Sequence, residues 1–487
     1  MVLIDSMIFV SGITSPDSAP YDYAKSYLSA FDLLGNSIYN SIYHGNDTLY
    51  VGTWYNALIK SSENYFINCG YTNVLGVGYN KAMLMKHDDS LNMEFFKEYN
   101  RPNGVDGFSL YDVIETDSGF IGLGNYFYPG TNINIMLLKV DSLGNETSRQ
   151  TVGTSSLQEY ALTMLSGSDG YIYIVGIKGI FTSQDESELV TNTYILKADS
   201  NLNIVDSWVD PNEGGYFPYS VIESSDSTIT WCGTYADETI YAGANYYGFN
   251  PMGEIRTIRK DDFTTVWQLH FGYEWLFTHL NEIEQLPDKS FIAVGETLGF
   301  ATLNVNGDTA YTWAGWMVKV SEQGDLLWDR KYAGVYTNYC ENHLDDFELL
   351  PDGGIIACGE ANSNLTADTF PQQGWLIRLD SCGCLVPGCE FVGIEEPPTE
   401  EEIEFVKVFP NPMEDWLYIY FNVPQSYDPK EFSFTIMNMN GEILDYQPQL
   451  DYGSTYFLHT AGYASGVYLV NLMRNGEVVQ VEKFVKE

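Results

Sequence analysis

The sequence predicts an all-β protein, a seven-bladed β-propeller followed by a small antiparallel Ig-like β-sandwich. Composition is the first reason: of 487 residues only 18% are charged and 15% aromatic, and the 37 Tyr and 44 Gly suit strands and turns better than long surface helices. A pattern that recurs seven times is the second reason, and a change in sequence character after the last copy is the third. The length also exceeds one ordinary hydrophobic core, so more than one domain is expected.

Seven segments share a strand end, a polar tight turn and a second apolar strand that closes on glycine. Four of them align position for position: VLIDSMIFVSG, IETDSGFIGLG, QLPDKSFIAVG and LLPDGGIIACG. The closing glycines of the seven segments are Gly12, Gly70, Gly124, Gly176, Gly233, Gly295 and Gly359. Each segment is therefore predicted to be a β-hairpin of one common design.

An apolar strand that ends in a polar turn follows each hairpin, as in IMLLKVDSLGN and GWMVKVSEQGD. The turn residues are Asp32, Asp88, Asp141, Asp199, Asp262, Ser321 and Asp380, at intervals of 53 to 63 residues. With the aromatic fourth strand that follows several turns, each interval holds the four short strands of a propeller blade. A β-solenoid would need shorter periods, and a pair of sandwiches would not repeat one pattern seven times.

The recurring turn aspartate has two interpretations. An aspartate that bonds its own backbone, ahead of a residue that tolerates positive φ, explains DSLGN and DLLGN as turns. Calcium binding by the same carboxylates is the alternative, but the sequence has no EF-hand spacing. The turn interpretation is preferred, and no other cofactor is predicted.

The loops between the second and third strands differ most among the repeats. All of them are expected on one face of the propeller, together with the links between blades, and we call this the loop face. Variable loops on a fixed scaffold are the usual binding surface. Aromatic rings there would suit stacking on sugars or peptides, and the candidate binding residues are Tyr126, Tyr128, Tyr241, Tyr246, Tyr247, Tyr311 and Trp313. The alternative is that these rings pack their own loops.

No local motif marks a catalytic residue or a metal site. The histidines have neither metalloprotease spacing nor a cysteine at zinc-ligand distance; they are His44, His87, His270, His279, His343 and His459. A carboxylate pair for glycoside hydrolysis would carry no local mark among the 66 acidic residues.

Two functions therefore stay open. The missing motifs favour a non-catalytic binding or adhesion module that uses the loop face. The alternative is a polysaccharide hydrolase or lyase with its active site at the propeller channel. An inward-facing cluster of His, Tyr and carboxylates would favour the enzyme, whereas an aromatic, uncharged loop face would favour the binding module.

The seven cysteines form two sets. Cys69, Cys232 and Cys358 each precede a closing glycine, where a small buried thiol is expected. The other set is Cys340, Cys382, Cys384 and Cys389. This second set suggests one disulfide within the cluster at 382–389 and one back to Cys340, as in an exported protein. Zinc held by four cysteines is the alternative, although the paired Cys-x-x-Cys spacing is missing.

Charge excludes some partners. With 66 acidic against 23 basic residues, the net charge of -43 would repel nucleic acids and anionic lipids. No apolar run reaches the length of a membrane-spanning helix. The start, MVLIDSMIFVSG, reads as folded repeat and lacks the basic residues of a secretory leader. Any export leader is therefore expected to be missing from this chain.

The chain changes character after Cys389. The segment EFVGIEEPPTEEEIE is rich in Glu and Pro and is predicted to be an extended linker. We therefore predict a propeller over 1–392, a linker over 393–403 and a small domain over 404–487. The pairs Asn440-Gly441 and Asn475-Gly476 are hairpin signals within that last domain.

The last domain carries three motifs in order: VFPNPMEDWLYI, IMNMNGEIL and GVYLVNLMRNGEVVQVEKFVK. They match the opening box, the middle hairpin and the closing hairpin of one family, so the tail resembles the type A C-terminal sorting domain of the type IX (Por) secretion system of Bacteroidetes. The residues that carry these motifs are Pro410, Asn411, Pro412, Asn440, Gly441, Gly466, Tyr468, Asn475 and Gly476.

The resemblance implies a partner and a location. Proteins with this tail are exported by the type IX secretion machinery across the outer membrane. They are then cleaved near the linker and released, or attached to surface lipopolysaccharide. Members normally also carry an N-terminal Sec signal, and the first residues of this sequence do not resemble one. The expected location is therefore outside the cell or on the outer-membrane surface.

Overall fold

A computed structural model describes most of the chain. The described residues are 1–486 except 5–6, 15–24, 43–48, 75–79, 102–104, 106, 129–132, 154–157, 182–188, 212–214, 236–237, 243–244, 250–251, 273–277, 304–308, 335–339, 364–372, 386–404, 410, 414–415, 422–427, 440–441 and 451–454. They form two compact units, Met1–Glu390 and Phe391–Glu487.

The first unit consists of seven antiparallel sheets, and in each the strands are hydrogen-bonded in chain order from the inside outwards. The first three sheets are β1 (Val2–Ile4), β2 (Met7–Thr14), β3 (Lys25–Asp32), β4 (Ser37–Ile42); β5 (Leu49–Lys60), β6 (Phe66–Val74), β7 (Asn80–His87), β8 (Met93–Tyr99); and β9 (Gly107–Thr116), β10 (Gly119–Phe127), β11 (Ile133–Asp141), β12 (Glu146–Val152). The middle strands β7 and β10 are buried along almost their whole length, as expected where a sheet packs between two neighbouring sheets.

The remaining sheets follow the same plan. They are β13 (Gln158–Ser166), β14 (Ile172–Phe181), β15 (Leu189–Ala198), β16 (Ile204–Val209); β17 (Gly215–Ser225), β18 (Thr228–Tyr235), then β21 (Met252–Arg259) and β22 (Thr265–Phe271); β23 (His279–Gln285), β24 (Phe291–Leu303), β25 (Thr309–Val320), β26 (Leu326–Tyr332); and β27 (Cys340–Leu349), β28 (Ile355–Ser363), β29 (Gln373–Leu379). A separate hairpin, β19 (Glu238–Ala242) and β20 (Asn245–Phe249), stands between β18 and β21. The last sheet has three strands within the described ranges.

The seven sheets close into a ring. Each hydrophobic core cluster of this unit packs residues of two successive sheets against each other, from the first pair to the last. Ile8 of the first sheet then packs with Leu350 and Ile356 of the seventh. The N–H of Leu3 also donates to Glu348 Oε1 at 3.1 Å. Since every face is buried against a neighbour around a common axis, the prediction of a seven-bladed propeller is confirmed.

The turn aspartates are explained by their own turns. In Asp32, Asp88, Asp141 and Asp199 the carboxylate accepts two backbone N–H groups and the side-chain amide of an asparagine four residues on. Hydrogen bonds from that asparagine lower the pKa of each of these carboxyls. The repeated Asp is therefore a turn residue whose oxygens bond within the turn.

The closing glycine of the repeat faces a bulge in the innermost strand. In the third to seventh blades the register between the first and second strands shifts beside this glycine. A Cβ atom on Gly295 would lie 2.0 Å from the carbonyl oxygen of His279, and one on Gly359 would lie 1.9 Å from that of His343. The bulge needs a residue without a side chain opposite it, which is why the repeat closes on glycine.

The second unit is a two-layer sandwich, as predicted. One sheet joins β30 (Val406–Phe409), β31 (Trp416–Phe421) and β34 (Thr455–His459), and the other joins β33 (Ile443–Gln447), β32 (Phe432–Asn438), β35 (Gly466–Arg474) and β36 (Glu477–Lys486). A 3₁₀ turn spans Pro429–Glu431. Leu417, Ile419 and Phe421 alternate inward into a core shared with Phe432 and Phe484.

The signature residues of the tail hold its strands together. Asn411 donates from Nδ2 to the carbonyl of Lys483 at 2.9 Å and accepts the N–H of Val485 on Oδ1 at 2.9 Å. Tyr468 is buried and stacks on Phe484, with ring centroids 5.3 Å apart. Asn475 and Gly476 have φ of 50° and 89°, the conformation of an Asn-Gly hairpin turn. Pro410, Asn440 and Gly441 lie outside the described residues.

The domain boundaries of the sequence analysis stay a prediction, because the linker at 393–403 lies outside the described residues. The structural division after Glu390 falls next to it. Among the described residues, no helix has the length and apolarity needed to cross a membrane.

Candidate functional site

The innermost strands of the propeller carry its most unusual side chains. These are β1, β5, β9, β13, β17, β23 and β27, each of which lies beside the first strand of the next blade. Each strand starts on the loop face and ends at the tight turn into the second strand. Residues early in these strands therefore lie near the loop-face end of the central channel.

Six rings follow one another along the innermost strands from the third to the seventh blade. Centroid distances are 5.7 Å from Tyr111 to Tyr160, 5.6 Å from Tyr160 to Phe217 and 6.2 Å from Phe217 to Tyr219. The series continues over 5.7 Å from Tyr219 to His279 and 6.5 Å from His279 to His343. We call these six residues the aromatic arc. Tyr160, Phe217, His279 and His343 occupy the same place in four successive blades, just before the residue paired with the closing glycine.

The arc ends in a group of two imidazoles around one carboxylate, here named the His–Glu–His group. His279 Nδ1 lies 3.1 Å from Glu296 Oε1, and His343 Nδ1 pairs with the other oxygen of Glu296. His279 and Glu296 are directly opposite each other on β23 and β24, whereas His343 comes from the next blade. The group is buried, with His343 its most exposed side chain at 20%.

Electrostatics make this group an ion pair at neutral pH. Burial raises the pKa of Glu296, but the charges and hydrogen bonds of His279 and His343 outweigh it and lower that pKa to about 2. Burial likewise opposes the charge on His343, yet Glu296 raises the pKa of its imidazole to about 9. Without a competing ligand, protonated His343 and ionised Glu296 therefore form an ion pair that links the two blades.

Carboxyl groups surround this end of the channel. Asp345, the bulged residue of β27, accepts from Asn281 Nδ2 at 3.4 Å. Burial and the nearby Glu360 raise the pKa of Asp345 to about 7. Glu360 is paired with His343 across β27 and β28, which places it in the same neighbourhood.

Further along the channel lies an acidic wall formed by Glu282, Glu284, Asp346 and Glu348 of β23 and β27. Burial, followed by the charge of Glu348 and Asp346, raises the pKa of Glu284 to about 8, opposed by the Met1 amino group. Burial and Asp346 raise the pKa of Glu348 to about 7. These side chains cannot all ionise together at neutral pH without cost.

The stability of the propeller is expected to fall as pH rises from 5 to 8, and Glu284→Gln should reduce that loss. Unfolded Glu284 ionises near its ordinary 4.5, while the folded chain keeps the proton up to about pH 8. Glu284 therefore contributes to the stability of the folded state in full below pH 4.5. This contribution is lost as the pH rises from 4.5 through 8. At pH 8 the variant should be more stable by on the order of 3 kcal/mol in denaturant unfolding.

The exposed Glu322, which pairs with Lys289 at 3.2 Å, provides the control for this measurement. Glu322→Gln should leave the pH dependence unchanged, because a half-exposed ion pair contributes little. Equal slopes of stability against pH for the wild type and Glu284→Gln would show that Glu284 does not hold its proton.

The structure corrects part of the predicted binding surface. Tyr126 is 1% exposed, packs edge-on against Phe108 with centroids 4.8 Å apart and accepts a hydrogen bond from Arg149 Nη1 at 2.7 Å. Tyr128 is partly buried against the same core. Tyr126 is a packing residue, because the second strand continues past its closing glycine to Phe127, whereas Tyr128 follows the strand and is half-buried. Trp313 is half-buried in β25. The side chains of Tyr241, Tyr246, Tyr247 and Tyr311 lie outside the described residues.

The cysteine cluster is also partly corrected. Cys384 is disulfide-bonded, Cys382 carries a thiol and Cys389 lies outside the described residues. The disulfide expected back to Cys340 is not formed, since Cys340 is a buried thiol. It begins β27 opposite Ser363, whereas Cys382 follows β29 at the other end of the sheet. Ten residues of extended strand separate these ends by roughly 30 Å, far beyond disulfide reach.

The sequence analysis missed the His–Glu–His group, although a signal was present. His279-Leu280-Asn281-Glu282 and His343-Leu344-Asp345-Asp346 are the same motif at the same place in successive blades. A search for metal or catalytic spacing within one segment does not detect it. Comparing blades position by position would have done so.

Comparison with known proteins identifies the second unit. Residues 407–487 match the family model of the secretion system C-terminal sorting domain. No curated protein matches the chain.

Solved structures are similar only at low scores. A Dyadobacter fermentans protein of unknown function has 9% identity and a TM-score of 0.42, covering 67% of this chain and 94% of its own. A putative exo-beta-1,3-galactanase from Bifidobacterium bifidum has 12% identity and a TM-score of 0.35. The match covers 62% of this chain and 96% of the galactanase chain. Penicillium chrysogenum alpha-L-arabinanase complexed with arabinobiose has 10% sequence identity and a TM-score of 0.36. The match covers 60% of this chain and 94% of the arabinanase chain. At these scores the likenesses carry no argument about this chain.

Proposed function

We propose that this chain, whose residues 407–487 belong to the secretion system C-terminal sorting domain family, is an exported polysaccharide hydrolase. The sorting tail marks it as type IX cargo, secreted or displayed on the cell surface. Its propeller would then act outside the cell, at the loop-face end of the channel. The binding module preferred from sequence alone takes second place.

One observation carries the proposal: the aromatic arc runs into a cluster of carboxyl groups at the inner edge of the blades. Tyr160, Phe217 and Tyr219 are half-buried, so none of these residues is fully enclosed by the protein. Sugar rings stack on aromatic faces through their apolar C–H surfaces. This is the inward-facing cluster of His, Tyr and carboxylates by which the enzyme was distinguished from a binding module.

The charge around the site favours an uncharged polysaccharide. The net charge of -43 would repel a uronate or sulfate chain. A lyase that removes a proton beside a uronate carboxylate would also need a cation to neutralise that group, and the acidic wall offers carboxyls instead. Hydrolysis of a neutral glycan is therefore the better fit of the two enzyme classes.

Glycoside hydrolysis uses two carboxyl groups, one to protonate the leaving oxygen and one to activate water or attack the sugar. Asp345 and Glu360 are the candidate pair, because they lie on adjacent strands beside His343 at the end of the aromatic arc. In this assignment the rings bind and orient the glycan, one carboxyl group protonates the leaving oxygen, and the other activates the attacking water or attacks the sugar.

The test is turnover of neutral polysaccharides by the full chain, measured as new reducing ends. Asp345→Asn and Glu360→Gln should each lower the rate by about 10² to 10⁴ fold, the usual effect of removing a general acid or base. Glu322→Gln, an exposed acid away from the channel, should leave it unchanged. Full activity in both channel variants would contradict the assignment.

A binding module without catalysis is the second candidate, and the aromatic arc alone favours it. In that case glycan affinity should survive Asp345→Asn and fall with Tyr219→Ala, with no reducing ends released by the wild type. If Tyr219→Ala left the glycan affinity unchanged, the aromatic arc would not be the glycan-binding surface in either function.

A further inference from the structure

The His–Glu–His group has the donor set of a metal centre. Two imidazole nitrogens and one carboxylate come from β23, β24 and β27, and their ligand atoms all lie within 4.8 Å of one another. Imidazole with carboxylate is a common set for zinc and other first-row divalent metals.

The arrangement of the atoms supports the same conclusion. Both imidazoles present the same ring atom, Nδ1, and each faces a different oxygen of Glu296. A blade-to-blade ion pair needs only one imidazole, whereas a metal ion needs several donors that converge. The rings of His279 and His343 are inclined by 38° with centroids 6.5 Å apart, so they approach the carboxylate from two blades.

The burial pattern resembles that of an open metal site. The side chains of His279 and Glu296 are 9% and 7% exposed, while that of His343 is 20% exposed. Three protein ligands with one side open to solvent leave a coordination position for water or a ligand, as in catalytic zinc sites. The neighbouring Asp345 and Glu360 add negative charge that attracts a cation.

We propose that His279, Glu296 and His343 bind one divalent transition-metal ion, of the zinc class, between the sixth and seventh blades. This site does not rest on the proposed hydrolytic activity, since it concerns binding at equilibrium. It replaces the sequence-based expectation that the chain has no metal site.

The second histidine–carboxylate pair of the propeller provides a matched control. His270 Nε2 lies 3.3 Å from Glu254 Oε1, within a single blade. The described residues bring no third histidine, cysteine or acidic ligand atom to that pair. It should therefore not hold zinc.

The test uses the full chain produced without a histidine tag, stripped with a chelator and dialysed against zinc chloride. The wild type and His270→Ala should each retain about one zinc ion per chain and show a higher Tm with zinc than without it. His343→Ala and Glu296→Gln should lower the zinc affinity by more than about 100-fold. That exceeds the usual loss when a mutation removes only a residue that hydrogen-bonds to a metal ligand.

Folding of each variant is checked by its Tm without metal, and Co²⁺ in place of zinc gives a second measurement. Visible absorption of the bound Co²⁺ should appear in the wild type and disappear in His343→Ala. A wild-type chain that retains no zinc, or a His343→Ala chain that retains as much, would overturn the proposal.

Discussion

A chain that lacks residues 404–487 is expected to accumulate in the periplasm. The full chain, expressed behind a Sec signal in a cell with type IX secretion, should be found on the surface or in the medium. The reason is that residues 407–487 match the sorting domain family, while the propeller is a separate compact unit. Cell fractionation followed by immunoblotting measures the result, which should be a nearly complete loss of surface protein.

This result is meaningful only if the truncated propeller still folds. The cores of the first unit are formed by residues of the seven blades alone, and the sandwich has its own core around Leu417, Phe432 and Phe484. Removing the tail therefore leaves the propeller cores intact, and Tm measurements on the purified protein check this. Truncated protein that still reaches the surface would contradict the role of the tail.

A point variant separates the structure of the tail from its mere presence. Asn411→Ala removes the two hydrogen bonds that join Asn411 to β36, at a cost of about 2 kcal/mol. We expect reduced surface delivery and a larger periplasmic fraction than for the wild type. The exposed Lys430 lies in the same unit, and Lys430→Ala should be delivered normally.

Much of this fold could be predicted from sequence because the repeat records local requirements. Turn aspartates recur because the blades use the same turn, and closing glycines recur because the third to seventh blades need the same bulge. The tail was recognisable for a related reason, because its motif residues have local structural roles. Asn411 bonds to the backbone of β36, Tyr468 stacks on Phe484, and Asn475 has the positive φ of a hairpin turn.

The functional site could not be predicted in the same way. His279 and Glu296 meet through strand pairing, but His343 joins them only when the seventh blade packs against the sixth. The distances within this group depend on the packing of two blades and have no counterpart in local spacing. The prediction that Tyr126 lies on the binding surface was wrong for the opposite reason. Its sequence context resembles a loop, although its ring is buried in a core between blades.

The closing glycine is expected to be among the positions most sensitive to substitution in the propeller. A Cβ on Gly124 would lie 2.1 Å from the carbonyl oxygen of Ser109, which is backbone and cannot rotate away. Gly124→Ala must therefore push β9 away from β10 and open the bulge. We expect a loss of on the order of 4 kcal/mol or more in denaturant unfolding, comparable to the worst overpacking mutations.

Gly122 in the same strand is the control, because its neighbours are side-chain atoms. A Cβ there would lie 3.0 Å from Leu110 Cδ2, the end of a flexible side chain. Gly122→Ala should cost within about 1 kcal/mol, since the leucine can change rotamer. If the two substitutions cost the same, the repeat would close on glycine for a reason other than the bulge. A large difference would tie the closing glycine of the third to seventh blades to the bulge that places Tyr160, Phe217, His279 and His343 at the inner edge of their blades.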